Sequence, residues 1–528
     1  MKKVIFFFFT LFAIFQFAGA QKEGMAAINK NDIKAYMTFL ASDQLEGRET
    51  GTPANDISAL FIKENLMRLG VKSASSLGDY FQKIPLYSTR IKGDDSFLKI
   101  FGNQGEVVYS TDSIVVLSRP SKTVETSGNV VFAGYGYKDA ATGYDDFSGI
   151  NLKDKIVLIM TRNPSAVSAG DKGKVFDQQL EGPKFQAIFS GGPKAVLFVY
   201  DPANDLPDAY ASGLASLIPA TSLSMSEQQA VNVPFQFMFV TRHTADILLK
   251  PTGNNLRQMQ DKISTTGSPV SVEISGITAA VRTSIETSNV SGSNVIGIIE
   301  GSDPVLKNEC IIYTAHFDHV GKNQKGEIMN GADDNASGSI GLLEVADAFM
   351  KLKHKPLRSI VFAWVNGEEK GLLGSQFYAR NPVFPLENTL VDINLDMIGR
   401  SKLPSDTGKF AGFDLNVTQP GEIQVYTAHE SSEIINMMNS AALETGVRIT
   451  DKGKDMEFGG SDHESFIARG IPALFFHSGI HRDLHAAGDD VDKIDFDKME
   501  KVSKMVFLIG YKAANQKKRI EIDNPLKP

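Results

Sequence analysis

Between about Pro269 and Tyr511 the chain alternates strand-like apolar runs with helical patterns, and this alternation constrains its fold more than any other feature. Ile311 to Ala315, Ser359 to Val365, Thr389 to Leu395 and Ile471 to Phe476 read as strands. Gly338 to Leu352 and Phe496 to Tyr511 read as helices covering them, the first with Leu342, Leu343, Ala346, Phe349 and Met350 on one face. The expected fold class is α/β, with a mixed, mostly parallel sheet sandwiched by helices. At 528 residues the chain exceeds what one core usually supports, so a second domain or a large insertion is expected. Short β-rich runs such as Val130 to Phe132, Lys155 to Met160 and Ala195 to Tyr200, punctuated by Gly and Pro, mark residues 112–264 as a β-rich inserted domain. Residues 21–111, opened by helical patterns at Asn31 to Ser42 and Pro53 to Leu69, and residues 265–515 make up the α/β domain, followed by a tail at 516–528.

Composition narrows the function classes. With 42% apolar and 22% charged residues the chain reads as an ordinary globular protein. Met1-Lys2-Lys3, the apolar run Val4 to Phe17 and Ala18-Gly19-Ala20 have the layout of a secretory signal spanning residues 1–20, so export to the periplasm or the extracellular space is expected. The run is shorter than the roughly 18 to 20 residues a spanning helix needs, and no stable membrane insertion is expected. Losing Lys2 and Lys3 takes the formal charge from −8 to −10, which argues against nucleic acid or an anionic membrane as partner. Cys310 is the single cysteine, so no intrachain disulfide forms, and its place ahead of Ile311-Ile312-Tyr313 reads as a buried strand position. Neither a Gly-Lys-Ser/Thr phosphate loop nor a Gly-x-Ser-x-Gly elbow is present.

At or just beyond the C-terminal end of each expected strand stand side chains able to ligate a metal, which is where open α/β sheets hold their ligands. The first strand runs into His316-Phe317-Asp318, whose spacing puts both side chains on one side of an extended chain. Asp333 and Asp334 adjoin in the tight loop Gly331 to Gly338 and repel unless a cation neutralises them; capping by Asn335 or Ser337 is compatible with that. The Ser359 strand leads to Glu368-Glu369, neighbours that can divide base and ligand duties. In Thr389 to Leu395, Asp392 and Asn394 alternate with apolar residues, so Asp396 extends either a solvated strand face or a functional one. The last strand leads to His477, His481 and His485. Nitrogen and oxygen donors converging without a thiolate suit zinc or a similar divalent ion.

These residues resemble the co-catalytic two-zinc aminopeptidases of clan MH, whose relatives include secreted bacterial leucine aminopeptidases, glutamate carboxypeptidase and glutaminyl cyclase. The markers are His316-x-Asp318, Gly331-Ala332-Asp333-Asp334-x-Ala336-Ser337-Gly338, Asn366-Gly367-Glu368-Glu369-x-Gly371, Asn394-Leu395-Asp396-Met397-Ile398-Gly399 and His485. The stretch from Leu40 to Arg48 is similar to the opening of the secreted members. Residues 112–264 resemble a protease-associated domain at Gly134-Tyr135-Gly136, Tyr144-Asp145-Asp146-Phe147 and Lys155-Ile156-Val157-Leu158. The resemblance implies a zinc-exopeptidase-like fold, two zinc ions at a site that also accepts manganese or cobalt, and peptide substrates with a free N-terminus. Carried over by motif, Asp334 bridges the metals, His316 and Asp396 complete one position, and Glu369 and His485 the other. Glu368 is then the general base, and Asp318 orients His316 through its other ring nitrogen.

The chain departs from this pattern at Leu484, where many members carry a tyrosine that stabilises the developing oxyanion, which leaves Tyr426, His477 and His481 as candidate donors. The family-like stretch Gly460-Ser461-Asp462-His463 has no assignable part beyond shaping the site. A carboxypeptidase of the same fold would need a basic pocket, for which Arg400 and Arg482 are candidates, and a non-catalytic binding module is the alternative from another class.

Overall fold

The computed structural model describes residues 21–102, 105–109, 113–118, 120, 122–170, 178–204, 206, 221–226, 236–322, 326–410, 413–429, 431–451 and 460–525; the expected signal segment 1–20 lies outside them. Among the described residues no helix is long and apolar enough to cross a membrane. The chain divides into two compact units, Met1–Leu86 with Val290–Pro528, and Tyr87–Asn289.

The first unit is built on a nine-stranded sheet. Its strands are β1 (Lys72–Ser73), β2 (Phe81–Lys83), β3 (Ser293–Ile299), β4 (Cys310–His316), β5 (Ser359–Val365), β6 (Thr389–Leu395), β7 (Glu422–Ala428), β8 (Arg448–Asp451) and β9 (Ala473–His477). The order is β1-β3-β5-β4-β6-β9-β7-β8, with β2 pairing β3. The central run β5-β4-β6-β9 is parallel, and β3 and β7 join it antiparallel on either side. Every residue of β4, β5 and β6 is buried, as strands covered on both faces require. Expected and observed limits coincide for β5 and β6. The last strand begins two residues later than expected, because Pro472 has no N–H for a ladder, and it extends to His477.

The helices of this unit are α1 (Lys30–Leu40), α2 (Pro53–Leu69), α3 (Gly338–Met350), α4 (Leu373–Arg380), α5 (Ser432–Thr445), α6 (His463–Ile467) and α7 (Phe496–Ala514). Thr52 caps α2 ahead of Pro53, and Gly70 ends it in the left-handed conformation at φ 81°. Helix α7 lies close over β4 because position 510 has no side chain: a Cβ there would stand 1.7 Å from the Tyr313 hydroxyl. Cys310 is buried in the core, and burial pushes its thiol up to about 12.

Glu344 on α3 is a buried acid whose Oε2 accepts the Asn29 N–H at 3.2 Å. Burial, opposed by that hydrogen bond and reinforced by Asp32 and Asp347, raises its pKa to about 8. The folded chain thus keeps a proton that the unfolded chain releases above its ordinary value of 4.5, so this stability is full below that pH and is lost as pH rises towards 8. Glu344→Gln is expected to match the parent at pH 5 and to exceed it at pH 9 by on the order of 3 to 5 kcal/mol. Thermal midpoints at the two pH values check this; an equal pH slope for both chains refutes it.

The second unit carries an eight-stranded sheet whose centre, Val124–Ala133, Ile156–Met160, Ala195–Val199 and Gln236–Val240, is parallel, with helices at Gln178–Gly191, Arg242–Leu249 and Leu256–Thr266. It is wider than the expected 112–264. Strand Ser271–Thr283 pairs with both Phe97–Gly102 and Val124–Ala133, which draws the flanking residues into the same sheet.

Candidate metal centre

The four parallel strands deliver their C-terminal ends to one place. His316 closes β4, Glu368 and Glu369 follow β5, Asp396 follows β6, and His477 closes β9. The loop carrying Asp334 is stitched to the end of β6. Asn335 donates to the Leu395 carbonyl at 2.9 Å and accepts the N–H groups of Gly338 and Met397, Ser337 accepts that of Ile398 at 2.9 Å, and Asp333 accepts that of Gly399 at 2.6 Å. From the other side Asp489 accepts the N–H groups of Asp333 and Asp334 at 3.0 and 3.1 Å. The bridging candidate is thus fixed by its backbone on both flanks.

Two groups of ligand-competent atoms form, each within 4.8 Å: His316, Asp334 and Asp396, and His319, Asp334 and Glu369. Nε2 of His316 lies 3.2 Å from Asp396 Oδ1 and 3.5 Å from Asp334 Oδ1. Asp334 Oδ2 faces the other way, 3.5 Å from His319 Nδ1 and 3.1 Å from His485 Nε2. Glu369 completes that side at 2.9 Å from His319 and 3.2 Å from His485. Asp334 and Glu369 are nearly covered, whereas His485 keeps 49% of its side chain exposed. His485 is therefore the member that opens to solvent.

All five expected ligands come together, and His319 joins them. Sequence reasoning passed over His319 because it follows Asp318 directly, where an extended chain would turn it away. The chain leaves the strand after His316, and the ring lies against Gly331, where a Cβ would stand 2.5 Å from it. His319 is fully buried, and among the described residues its Nε2 has no hydrogen-bond partner. Asp318 touches His316 through both its groups: Nδ1 is 3.2 Å from the Asp318 carbonyl and 3.8 Å from the carboxylate. That carboxylate accepts the Thr50 hydroxyl at 2.8 Å and the Glu368 N–H at 3.3 Å.

Charge sets the chemistry. The adjacent glutamates are driven in opposite directions. Burial, with Glu369, Asp396 and Asp462 adding to it, pushes Glu368 well above the usual carboxylate range. Burial acts on Glu369 too, but the hydrogen bonds of His319 and His485 outweigh it and hold that carboxyl well below the range. Desolvation opposes charge on His485, and the Asp334 and Glu369 carboxylates overcome it, holding its pKa at about 11. A cluster with this excess of carboxylate attracts cations, and its His and carboxylate donors fit zinc, manganese or cobalt.

Asp392 and Asn394 do not form a solvated face. Both are fully buried and accept from the Thr314 hydroxyl at 2.8 and 2.9 Å, while Asn394 donates to Ser461 at 2.8 Å. Arg400 is buried beside Asp483 and Asp489, and Arg482 donates to the carbonyls of Ser405 and Thr407, so both guanidinium groups have partners within the chain. Of the three candidate oxyanion donors, Tyr426 donates to Gln424 at 2.9 Å and His481 faces Asp333 at 3.4 Å. Nδ1 of His477 accepts the Gly479 N–H at 2.7 Å, which leaves the proton of its neutral ring on Nε2.

An α/β sheet whose strand ends gather histidines and acids around one shared carboxylate is what the resemblance to clan MH implies, with the ligands at the carboxyl ends of the strands. Residues 294–509 match Peptidase family M28. Leucine aminopeptidase 1 of Trichophyton rubrum is 28% identical over 229 residues, 41% of this chain and 57% of its own length. Leucine aminopeptidase 2 of the same organism is 32% identical over 182 residues, 34% of this chain and 32% of its own. The chain thus spans 57% and 32% of the length of these two curated relatives. Among solved structures, an aminopeptidase from Aneurinibacillus sp. strain AM-1 superposes with a TM-score of 0.57 at 20% identity, covering 96% of this chain and all of that one. A zinc aminopeptidase from Bacillus subtilis gives 0.51 at 19%, covering 92% and 95%. Both likenesses are of fold.

Proposed function

We propose that the protein is an exported zinc aminopeptidase that hydrolyses the N-terminal residue from peptides at a two-metal centre. The observation that carries this reading is Asp334, whose two oxygens face two separate ligand groups. His316 and Asp396 would hold one cation, and Glu369 with His485 and His319 the other. Bound cations there supply Lewis-acid activation of a water and of the scissile carbonyl. Glu368, next to a ligand in sequence but in neither ligand group, would take the proton of the attacking water and return it to the leaving amine. Asp318 keeps the His316 ring oriented. His477 follows Phe476, the cross-strand partner of Leu395, and Asp396 follows Leu395; the His477 Nε2–H serves as the oxyanion donor in place of the tyrosine that Leu484 replaces. We also propose that the second unit is a protease-associated module, on the motifs at Gly134, Tyr144 and Lys155.

The test uses zinc-loaded mature protein and matched peptides with free or acetylated N-termini, with products identified by mass. Release of the first residue from the free peptides alone is the expected result. Loss of the last residue from the acetylated set replaces this reading with a carboxypeptidase, and no cleavage of either set replaces it with a binding module.

A further inference from the structure

Arg48 is fully buried, yet among the described residues none of its hydrogen bonds goes to a carboxylate. Nε donates to the Phe317 carbonyl at 2.8 Å, Nη1 to those of Leu40 at 2.7 Å and Asn330 at 2.6 Å, and Nη2 to that of Gly331 at 2.9 Å. Phe317 sits between His316 and Asp318, and Gly331 opens the loop that carries Asp334. One planar fork therefore ties together the two segments that must meet for either ligand group to form. The backbone repeats the tie. Glu49 pairs with His319 as a parallel bridge, the His319 N–H reaches the Arg48 carbonyl at 3.4 Å, and the Gly321 N–H reaches that of Gly47 at 3.1 Å. The approach is close: a Cβ on Gly47 would stand 2.4 Å from the Met329 carbonyl and 2.5 Å from that of Gly321. The next residues continue the pattern, with Thr50 on the Asp318 carboxylate and Glu49 accepting from Lys370 at 2.7 Å, beside Glu369.

The charge is placed as deliberately as the hydrogen bonds. Burial lowers the Arg48 pKa to about 10, so the group stays charged at neutral pH, and the carboxylates acting most strongly on it are Asp334, Asp318, Asp489 and Glu369. A buried cation bonded only to neutral carbonyls spends its charge on the field of its surroundings. Here those surroundings are the acids of the metal centre.

We propose that Arg48 is a positioning residue for divalent metal binding, holding the His316–His319 segment in register with Asp334. This rests on the metal-centre reading above. Lysine keeps the charge but cannot donate in three directions at fixed angles, so Arg48→Lys separates geometry from charge. A control of equal burial is Arg358→Lys, a fully covered guanidinium of the same unit that binds Glu309 at 2.7 Å and carries none of the site contacts.

Zinc affinity by chelator competition and the visible spectrum of the cobalt-loaded protein are measured on the full mature chain, alongside the thermal midpoint of the metal-free forms. Both variants should lose thermal stability. Arg48→Lys alone should lose about 10- to 100-fold in zinc affinity and shift the cobalt bands, the range known for groups that orient metal ligands. If Arg48→Lys binds zinc and cobalt as the parent does while only its midpoint falls, the residue is structural and the inference is overturned. The same holds if Arg358→Lys weakens binding equally. A parent chain that binds neither metal overturns the metal-centre reading itself, and this inference with it.

Discussion

Glu368→Gln is expected to lower kcat by about 10²- to 10⁴-fold while the zinc content stays that of the parent. Glutamine matches glutamate in shape and leaves the turn intact, since that turn depends on backbone groups: Gly367 at φ 81°, and the Gly371 and Leu372 N–H groups donating to the Glu368 carbonyl at 2.9 and 3.0 Å. What the amide cannot do is accept a proton and hand it on. Glu368 belongs to neither ligand group, whereas Glu369 belongs to one, so the adjacent substitutions should separate. Glu369→Gln should lose metal and turnover together, and Glu368→Gln turnover alone. Kinetics on a free peptide with metal analysis on the same samples reads both. A Glu368→Gln enzyme with parental kcat removes Glu368 as base, and one that loses zinc makes it a ligand.

The sheet was legible at β4, β5, β6 and β9, and not at β7, which is as fully buried but carries Glu422, Gln424 and Thr427 among its seven residues. In β4 and β5 both faces are covered and apolar residues dominate the run, so their limits stand out; β6 is covered as fully but alternates Asp392 and Asn394 with apolar residues. The acids after β5 and β6 were legible as chemistry because each lies within a few residues of a strand end. His319 was hidden by a local rule, the alternation of an extended chain, which ceases to apply where the chain turns after His316. Asp392 and Asn394 look like a wet face in a one-dimensional reading, since nothing nearby in sequence announces Thr314 and Ser461 as their partners. Arg48 is the extreme case. Its acceptors at Phe317, Asn330 and Gly331 lie more than 260 residues away, and a guanidinium that binds carbonyls leaves no complementary charge for a sequence to reveal. The second unit extends beyond 112–264 for a related reason: the strand that widens it pairs with segments well over 100 residues distant.

Asp334→Asn is expected to cost more metal than any other single substitution, with zinc affinity falling by more than about 100-fold and peptidase activity lost with it. A group that only orients a ligand is worth about 10- to 100-fold, and Asp334 is itself common to both ligand groups. Asparagine keeps one acceptor oxygen and replaces the other with an amide nitrogen that has no lone pair to offer, so one of the two positions loses its shared ligand outright. The amide also removes a negative charge from between His316, His319 and His485, which lowers the attraction for a second cation. The fold should tolerate the change, because the loop is held by the Asp334 N–H on Asp489 and by Asn335, Ser337 and Asp333 on the end of β6, none of which uses the Asp334 side chain. Metal titration of Asp334→Asn beside Asp318→Asn measures this ordering: Asp318→Asn should retain two equivalents at reduced affinity, and Asp334→Asn fewer than two. Two tightly held equivalents in Asp334→Asn would mean that each ligand group closes without a shared carboxylate, and the bridge would then have to be assigned to a different atom.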